Sequence, residues 1–271
     1  MRIALGIEYD GTAYSGWQRQ KTGDSVQYHI ETALTAVANE AVEVTCAGRT
    51  DAGVHASGQV AHFDTSSTRS KRGWLLGANS QLPDDINVSW VVPVSDSFHA
   101  RFSAQARHYR YLVLNRLVRS ALYRSRAWWV YQPLDVERMH RAAQTLAGEH
   151  DFSAFRAAGC QASSPIREIL SIGVARADDW VILEVTANAF LQHMVRNVMG
   201  TLVTIGSGDG SENSMAAILD SKDRRTGGPA APPHGLTLTR VDYPAEFGLP
   251  AAKPYAPWLG ANGHSALSGN N

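Results

Sequence analysis

From Arg2 to Tyr9 apolar and polar positions alternate, the two-residue period of a strand. The following DGTAYSGWQRQKTGDS is polar and glycine-rich and reads as a loop. The period then changes: Val26, Ile30, Ala33, Leu34 and Val37 fall on one face of a helix, with Ser25 placed to cap it. Val42, Val44 and Cys46 alternate again, and Gln59 to Phe63 reads as a further strand across the tight segment from Gly48 to Gly58. A helical stretch near Trp74 to Gln81 is stopped by Pro83, and Ile86 to Val92 is extended. The predicted order is β-α-β-β-α-β.

The pattern recurs more loosely. His108 to Asn115 is a strand, and Asp135 caps a helix whose Val136, Met139, Ala143 and Leu146 face one way before Gly148 ends it. Strands at Glu168 to Ala175 and Trp180 to Ala187 precede a long apolar helix from about Phe190 to Ile205, and Leu236 to Asp242 is a last strand. Two such units predict an α+β fold: two ferredoxin-like halves joined into one mixed or antiparallel sheet, with helices packed on it and a central cleft. The boundary falls near Phe102 to Arg107, giving halves at 1–104 and 105–246. The tail, 247–271, is rich in proline, alanine, glycine and asparagine and is expected to be partly disordered.

At 271 residues the chain is long enough for a proper core in either half, and its formal net charge is zero. Cys46 and Cys160 are too few for a disulfide framework, and the apolar run at the amino terminus is interrupted by Glu8 and Asp10. A soluble, cytoplasmic protein without a membrane segment is therefore expected.

Neutral overall, the chain is locally basic. Between Ser97 and Leu134 there is no aspartate or glutamate, whereas Arg101, Arg107, Arg110, Arg116, Arg119, Arg124 and Arg126 all fall there. Phe98, Phe102, Tyr109, Tyr111, Tyr123, Trp128, Trp129 and Tyr131 are interleaved with them, so the window offers cations for phosphates and rings that stack on bases or fill a core. Long arginine stems on a solvated face are the competing reading. On a strand, Arg107, Tyr109 and Tyr111 share one face, with one tyrosine expected in the core and the other over a cleft.

The segment CAGRTDAGVHASGQVAHF carries the candidate chemistry. Asp51 sits where a strand ends, and Arg49, two residues earlier, shares its face. An arginine beside a carboxylate keeps it ionised, whether as nucleophile, general base or half of a structural ion pair. On the helix ANAFLQHMVRNVMGTLVTIG, residues His193, Arg196, Asn197 and Gly200 form a second row beside an apolar one; an arginine there requires an anionic partner. The phosphate-binding glycine patterns, the GxSxG elbow and HExxH are all missing, and His55 and His62 lack a third ligand at metal spacing. Neither a nucleotide cofactor nor a metal is expected.

IALGIEYDGTAYSGWQRQ, CAGRTDAGVHASGQVAHF, FHARFSAQARHYRY and NAFLQHMVRNVMG, in that order, resemble the tRNA pseudouridine synthase A family over nearly the whole chain to about Pro250. The resemblance implies an isomerase that converts uridine to pseudouridine at positions 38, 39 and 40 of the tRNA anticodon stem-loop, without cofactor or metal, as a homodimer cradling tRNA. It implies that Asp51 is the catalytic aspartate, Tyr109 and Arg49 contact the target uridine, and Arg196 is the basic residue that pairs with the aspartate. The patch Arg101, Arg107, Arg110, Arg116 and Arg119 then binds tRNA. A non-catalytic RNA-binding protein of the same topology is the alternative, although the aromatic strand signature of RNA recognition motifs is missing. A small-molecule isomerase would leave the arginine window without a purpose.

Overall fold

The computed structural model describes residues 1–21 and 23–251; the expectation of a disordered tail falls, from residue 252 on, outside the described residues. In chain order the first elements are β1 (Arg2–Tyr9), α1 (Val26–Ala38), β2 (Thr45–Cys46), β3 (His55–Asp64), α2 (Lys71–Asn79) and β4 (Ile86–Val94). There follow β5 (Ala106–Asn115), β6 (Trp128–Val130), α3 (Val136–Gln144), β7 (Gly148–Asp151), β8 (Ile166–Ala177), β9 (Trp180–Ala187), α4 (Met194–Gly206), α5 (Ser214–Ser221) and β10 (Leu236–Asp242). The class is α+β, with mixed strand pairing. Among the described residues no helix is long and apolar enough to cross a membrane.

The described residues divide into two compact units, Met1–Arg107 with 237–251, and His108–Leu236. In the first, β1 is central: it runs antiparallel to β3, with Leu5 opposite Ala61, and to β4, with Ala4 opposite Val92. The far edge of β3 is shared. Cys46 of β2 lies antiparallel to Ala61 at one end, and Thr237 of β10 lies parallel to His55 at the other. The last strand, grouped by sequence with the second half, thus pairs with a strand of the first unit. Ser25 Oγ accepts the Tyr28 amide at the start of α1, which buries Val26, Ile30, Ala33, Leu34 and Ala38. The helix ends at Asn39, whose left-handed φ of 57° lets its N–H reach Thr35 O.

In the second unit the strand order is β5-β9-β8-β7, with β6 parallel to β5. β8 and β9 form a long antiparallel pair, and β7 adds to β8 through His150 opposite Arg167. Asp135 Oδ1 accepts the Arg138 amide to cap α3, whose Met139, Ala142 and Ala143 are buried. One difference from the sequence reading bears on function. The apolar helix begins at Met194 rather than Phe190, because His193 takes a φ of 64° that an α-helix cannot continue. Past the glycine-rich GSGDGS the chain forms α5, in a stretch to which the sequence reading assigned no element.

Candidate active site

Asp51 lies on the connection between β2 and β3. β2 pairs with β3 for only two residues; Ala47 N adds one bond to Val60 O at 2.8 Å, after which the chain leaves the sheet and re-enters at His55. The excursion is held at many points. Gln59, fully buried, donates its amide to Gly48 O at 2.7 Å. Buried Thr50 accepts Trp17 N on its carbonyl at 3.0 Å and shares a 2.7 Å hydrogen bond with the Tyr9 hydroxyl. Burial raises the Tyr9 phenol pKa well above its usual value, so that hydroxyl stays protonated. Val54 N closes the turn onto Asp51 O at 3.1 Å, and Gly53 N reaches Tyr14 O at 3.3 Å.

The loop after β1 is the floor of this turn. Gly16 has a φ of 99°, and a Cβ there would lie 2.6 Å from Thr50 O and 3.0 Å from the Asp51 carbonyl carbon. A Cβ at Gly11 would lie 2.0 Å from Val54 O. Below, the fully buried His55 places Nδ1 3.0 Å from Gly11 N and 3.1 Å from Asp10 Oδ1. The backbone on both sides of Asp51 is therefore fixed while its side chain stays half-buried, the arrangement a reacting carboxylate needs. Arg49, two residues before it, is exposed. Nearby, burial pushes the Cys46 thiol up to about 12, the Arg49 charge only partly offsetting it, so Cys46 is no nucleophile at neutral pH.

In the second unit Tyr109 is 8% exposed and stands edge-on to Phe190, ring centroids 5.0 Å apart. Tyr111 is the core tyrosine: wholly buried, it donates its hydroxyl to Pro232 O at 2.6 Å. Arg196, in the first turn of α4, is half-buried; its Nε donates to Ala231 O at 2.9 Å while Ala231 N returns a 3.0 Å bond to Arg196 O. Segment 229–231 approaches this closely because Gly200 has no side chain; a Cβ there would meet Pro229 O at 1.8 Å. Asn197 is tied to Phe155 O at 2.7 Å and receives Arg224 at 3.0 Å, so it braces α4.

The arginine window splits in two. Arg107 and Arg110, grouped by sequence with a surface patch, are buried at 8% and 6% exposure. Arg107 donates to the carbonyls of Ala47, Arg101 and Ala104, and Arg110 pairs with Glu184, its Nε 2.8 Å from the carboxylate. Arg101, Arg116, Arg119 and Arg124 are exposed, as a phosphate contact must be. Sequence reasoning missed the supports Tyr9, Gly16 and Gln59. The only hint was the glycine spacing of the DGTAYSGW loop, whose significance depends on which turn it meets. Among the described residues no group of three histidine, cysteine, aspartate or glutamate side chains is placed to hold a metal ion.

A family model described as tRNA pseudouridine synthase matches residues 6–103 and 142–244. The first segment contains the Asp51 turn and its floor; the second contains α4 with Arg196. The chain is 55% identical over 258 residues to tRNA pseudouridine synthase A of Coxiella burnetii (strain Dugway 5J108-111), covering 95% of this chain and 98% of that one. To the proteins of the same name from Shewanella amazonensis and Tolumonas auensis it is 54% identical over 250 residues (92% and 96% of the two chains) and 52% identical over 262 (96% and 100%). A carboxylate turn clamped by its own unit, inside a match that spans nearly the full length of such relatives, places this chain in the tRNA pseudouridine synthase family.

Proposed function

We propose that this chain isomerises uridine to pseudouridine in tRNA, with Asp51 as the catalytic carboxylate. The observation that carries the reading is the Asp51 turn, held from below by Gly11 and Gly16 and from the side by Tyr9 and Gln59, within a family-matched segment. The reaction breaks the bond between ribose C1′ and N1 of uracil, turns the base and joins C5 to C1′. It is redox-neutral. An ionised carboxylate serves each available route: attack on C1′, removal of the 2′ proton, or addition to C6 of the base.

In this reading Arg196 pairs with Asp51, and Arg49 and Tyr109 contact the target uridine. Stacking on the Tyr109 ring, worth about 1 to 3 kcal/mol, keeps the detached uracil in place. The target must first leave its stack, which costs a few kcal/mol and is cheapest in a loop or at a stem end; this favours positions 38, 39 and 40 of the anticodon stem-loop. Arg101, Arg116 and Arg119 meet phosphates, and Arg107 and Arg110 support the fold behind them. The active form is a cytoplasmic homodimer free of cofactor and metal. Its architecture is two ferredoxin-like halves in one sheet around a cleft, supported by the β-α-β-β-α-β order and the β4-β1-β3-β2 pairing of the first unit.

The test is mapping of pseudouridine, by mass spectrometry or chemical labelling, in an unmodified tRNA transcript incubated with the protein. New pseudouridine in the anticodon arm is expected. Salt-sensitive tRNA binding without product would instead favour a binding protein.

A further inference from the structure

The two phenylalanines of the FHARF segment have opposite fates. Phe98 is fully buried, packed on His62, Tyr243 and Phe247, whereas Phe102 is 75% exposed. Leaving a phenylalanine in water forgoes the stabilisation its burial would give, and Phe102 is not a floppy outlier. Its turn is built to be stiff. His99 N donates to Ser103 Oγ at 3.0 Å and Ser103 N to His99 O at 2.8 Å. His99 Nδ1 accepts both Arg101 N and Phe102 N, each at 3.2 Å, and its ring lies 4.3 Å from that of Phe102, tilted by 31°. The Arg101 guanidinium stands 5.5 Å from the Phe102 centroid.

The turn is also tied to the site. Buried Arg107 places Nη2 2.6 Å from Arg101 O and 3.0 Å from Ala47 O, so one nitrogen joins the Phe102 turn to the strand end that leads into the Asp51 turn. No carboxylate occurs in sequence from Ser97 to Leu134, so this stretch of chain carries formal charge of one sign only, which suits a polyanion rather than a basic partner.

We propose that Phe102 is a stacking platform for a second, unpaired base of the bound RNA, distinct from the target uridine, with Arg101 meeting the adjoining phosphate. This rests on the RNA-modifying reading above. Stacking fixes the strand beside the target and so acts on binding. Every base has a π-face, so the platform is tolerant of sequence.

The experiment measures affinity for an unmodified tRNA transcript at two salt concentrations, together with pseudouridine formation, for Phe102→Ala, Phe102→Leu, Phe102→Tyr and Phe102→Trp. Phe102→Ala should weaken binding about 5- to 150-fold, the loss of one base stack, without changing the slope of log K against log salt. Tyrosine and tryptophan should restore affinity, and leucine, apolar but unable to stack, should not. Arg101→Ala should instead lower the slope by about 0.7 to 0.9.

Phe102→Ala binding within two-fold of wild type overturns the proposal, as does full rescue by leucine. A halved solution mass for Phe102→Ala overturns it too, because the ring would then cover a second copy of the chain. If wild type binds tRNA but makes no pseudouridine, the functional reading fails while the binding series still decides the platform.

Discussion

Replacing Gly16 by alanine perturbs Asp51 without touching its carboxylate. The residue's φ of 99° lies beyond the left-handed well tolerated by other residues, a strain of about 1 to 3 kcal/mol. The new Cβ would stand 2.6 Å from Thr50 O, where ordinary contact begins at 3.4 Å, so the Thr50–Asp51 backbone must retreat by about 0.8 Å. Strain and displacement together predict a loss of about 2 to 4 kcal/mol of stability, or about 5 to 10 °C in Tm for a chain of this size. A misplacement approaching 1 Å costs a reacting group up to about 100-fold, so kcat should fall about 10- to 100-fold with tRNA affinity little changed. Gly48→Ala is the control. It lies on the same excursion, but its Cβ would meet nothing within 4 Å, so stability should stay within about 0.5 kcal/mol and turnover near wild type. The assay is single-turnover pseudouridine formation beside thermal unfolding. Wild-type kcat in Gly16→Ala, or equal losses in both variants, would refute the idea that the loop after β1 positions Asp51.

Arg110→Ala should lower unfolding free energy by about 2 to 3 kcal/mol, less than a fully buried pair because Glu184 is one-third exposed, and should leave the salt slope of tRNA binding unaltered. In the same titration Arg119→Ala, from an exposed position, should reduce the slope by about 0.7 to 0.9, and a reversed outcome would return Arg110 to the phosphate surface. His62 accepts Ala100 N on Nδ1, and burial lowers its pKa to about 4 from the usual 6.5. The unfolded chain therefore gains this proton before the folded one, and stability is lost as pH falls from 6.5 toward 4, at most about 1.4 kcal/mol per pH unit for one proton. Urea unfolding at pH 7, 6 and 5 should show the decline flattened in His62→Gln; a decline of the same steepness would remove His62 as its source.

The parts of the fold that announced themselves were those with local causes. α1 carries both its period and its cap, Ser25, in one stretch, and β10 opens on the alternation Leu236, Leu238 with β-branched Thr237, Thr239 and Val241 beside it, so both have the limits the sequence implied. β7 did not announce itself, because GEHD has no apolar period and is extended only by pairing with β8. α5 is eight residues without a side-chain cap, and burial of Met215, Ile218 and Leu219 supports it from outside. The site divides in the same way. Asp51 was legible as the lone carboxylate between strand signals, but of its supports residues 9 and 16 are distant in sequence, and Gln59, though in the same segment, is chemically ordinary. Arg107 and Arg110 looked like surface charge because a sequence counts cations without recording which carbonyls or carboxylates enclose them.

The central claim is that the Asp51 carboxylate does the chemistry and is not a structural ion pair. The most direct measurement compares wild type with Asp51→Asn, a near-isosteric change, at enzyme in excess over unmodified tRNA, with pseudouridine mapped at successive times and tRNA affinity measured in parallel. The account predicts product in the anticodon arm with wild type, none with Asp51→Asn, and affinities within a few-fold, since one carboxylate adds little to phosphate-dominated binding. Pseudouridine formed by Asp51→Asn at the wild-type rate would contradict it.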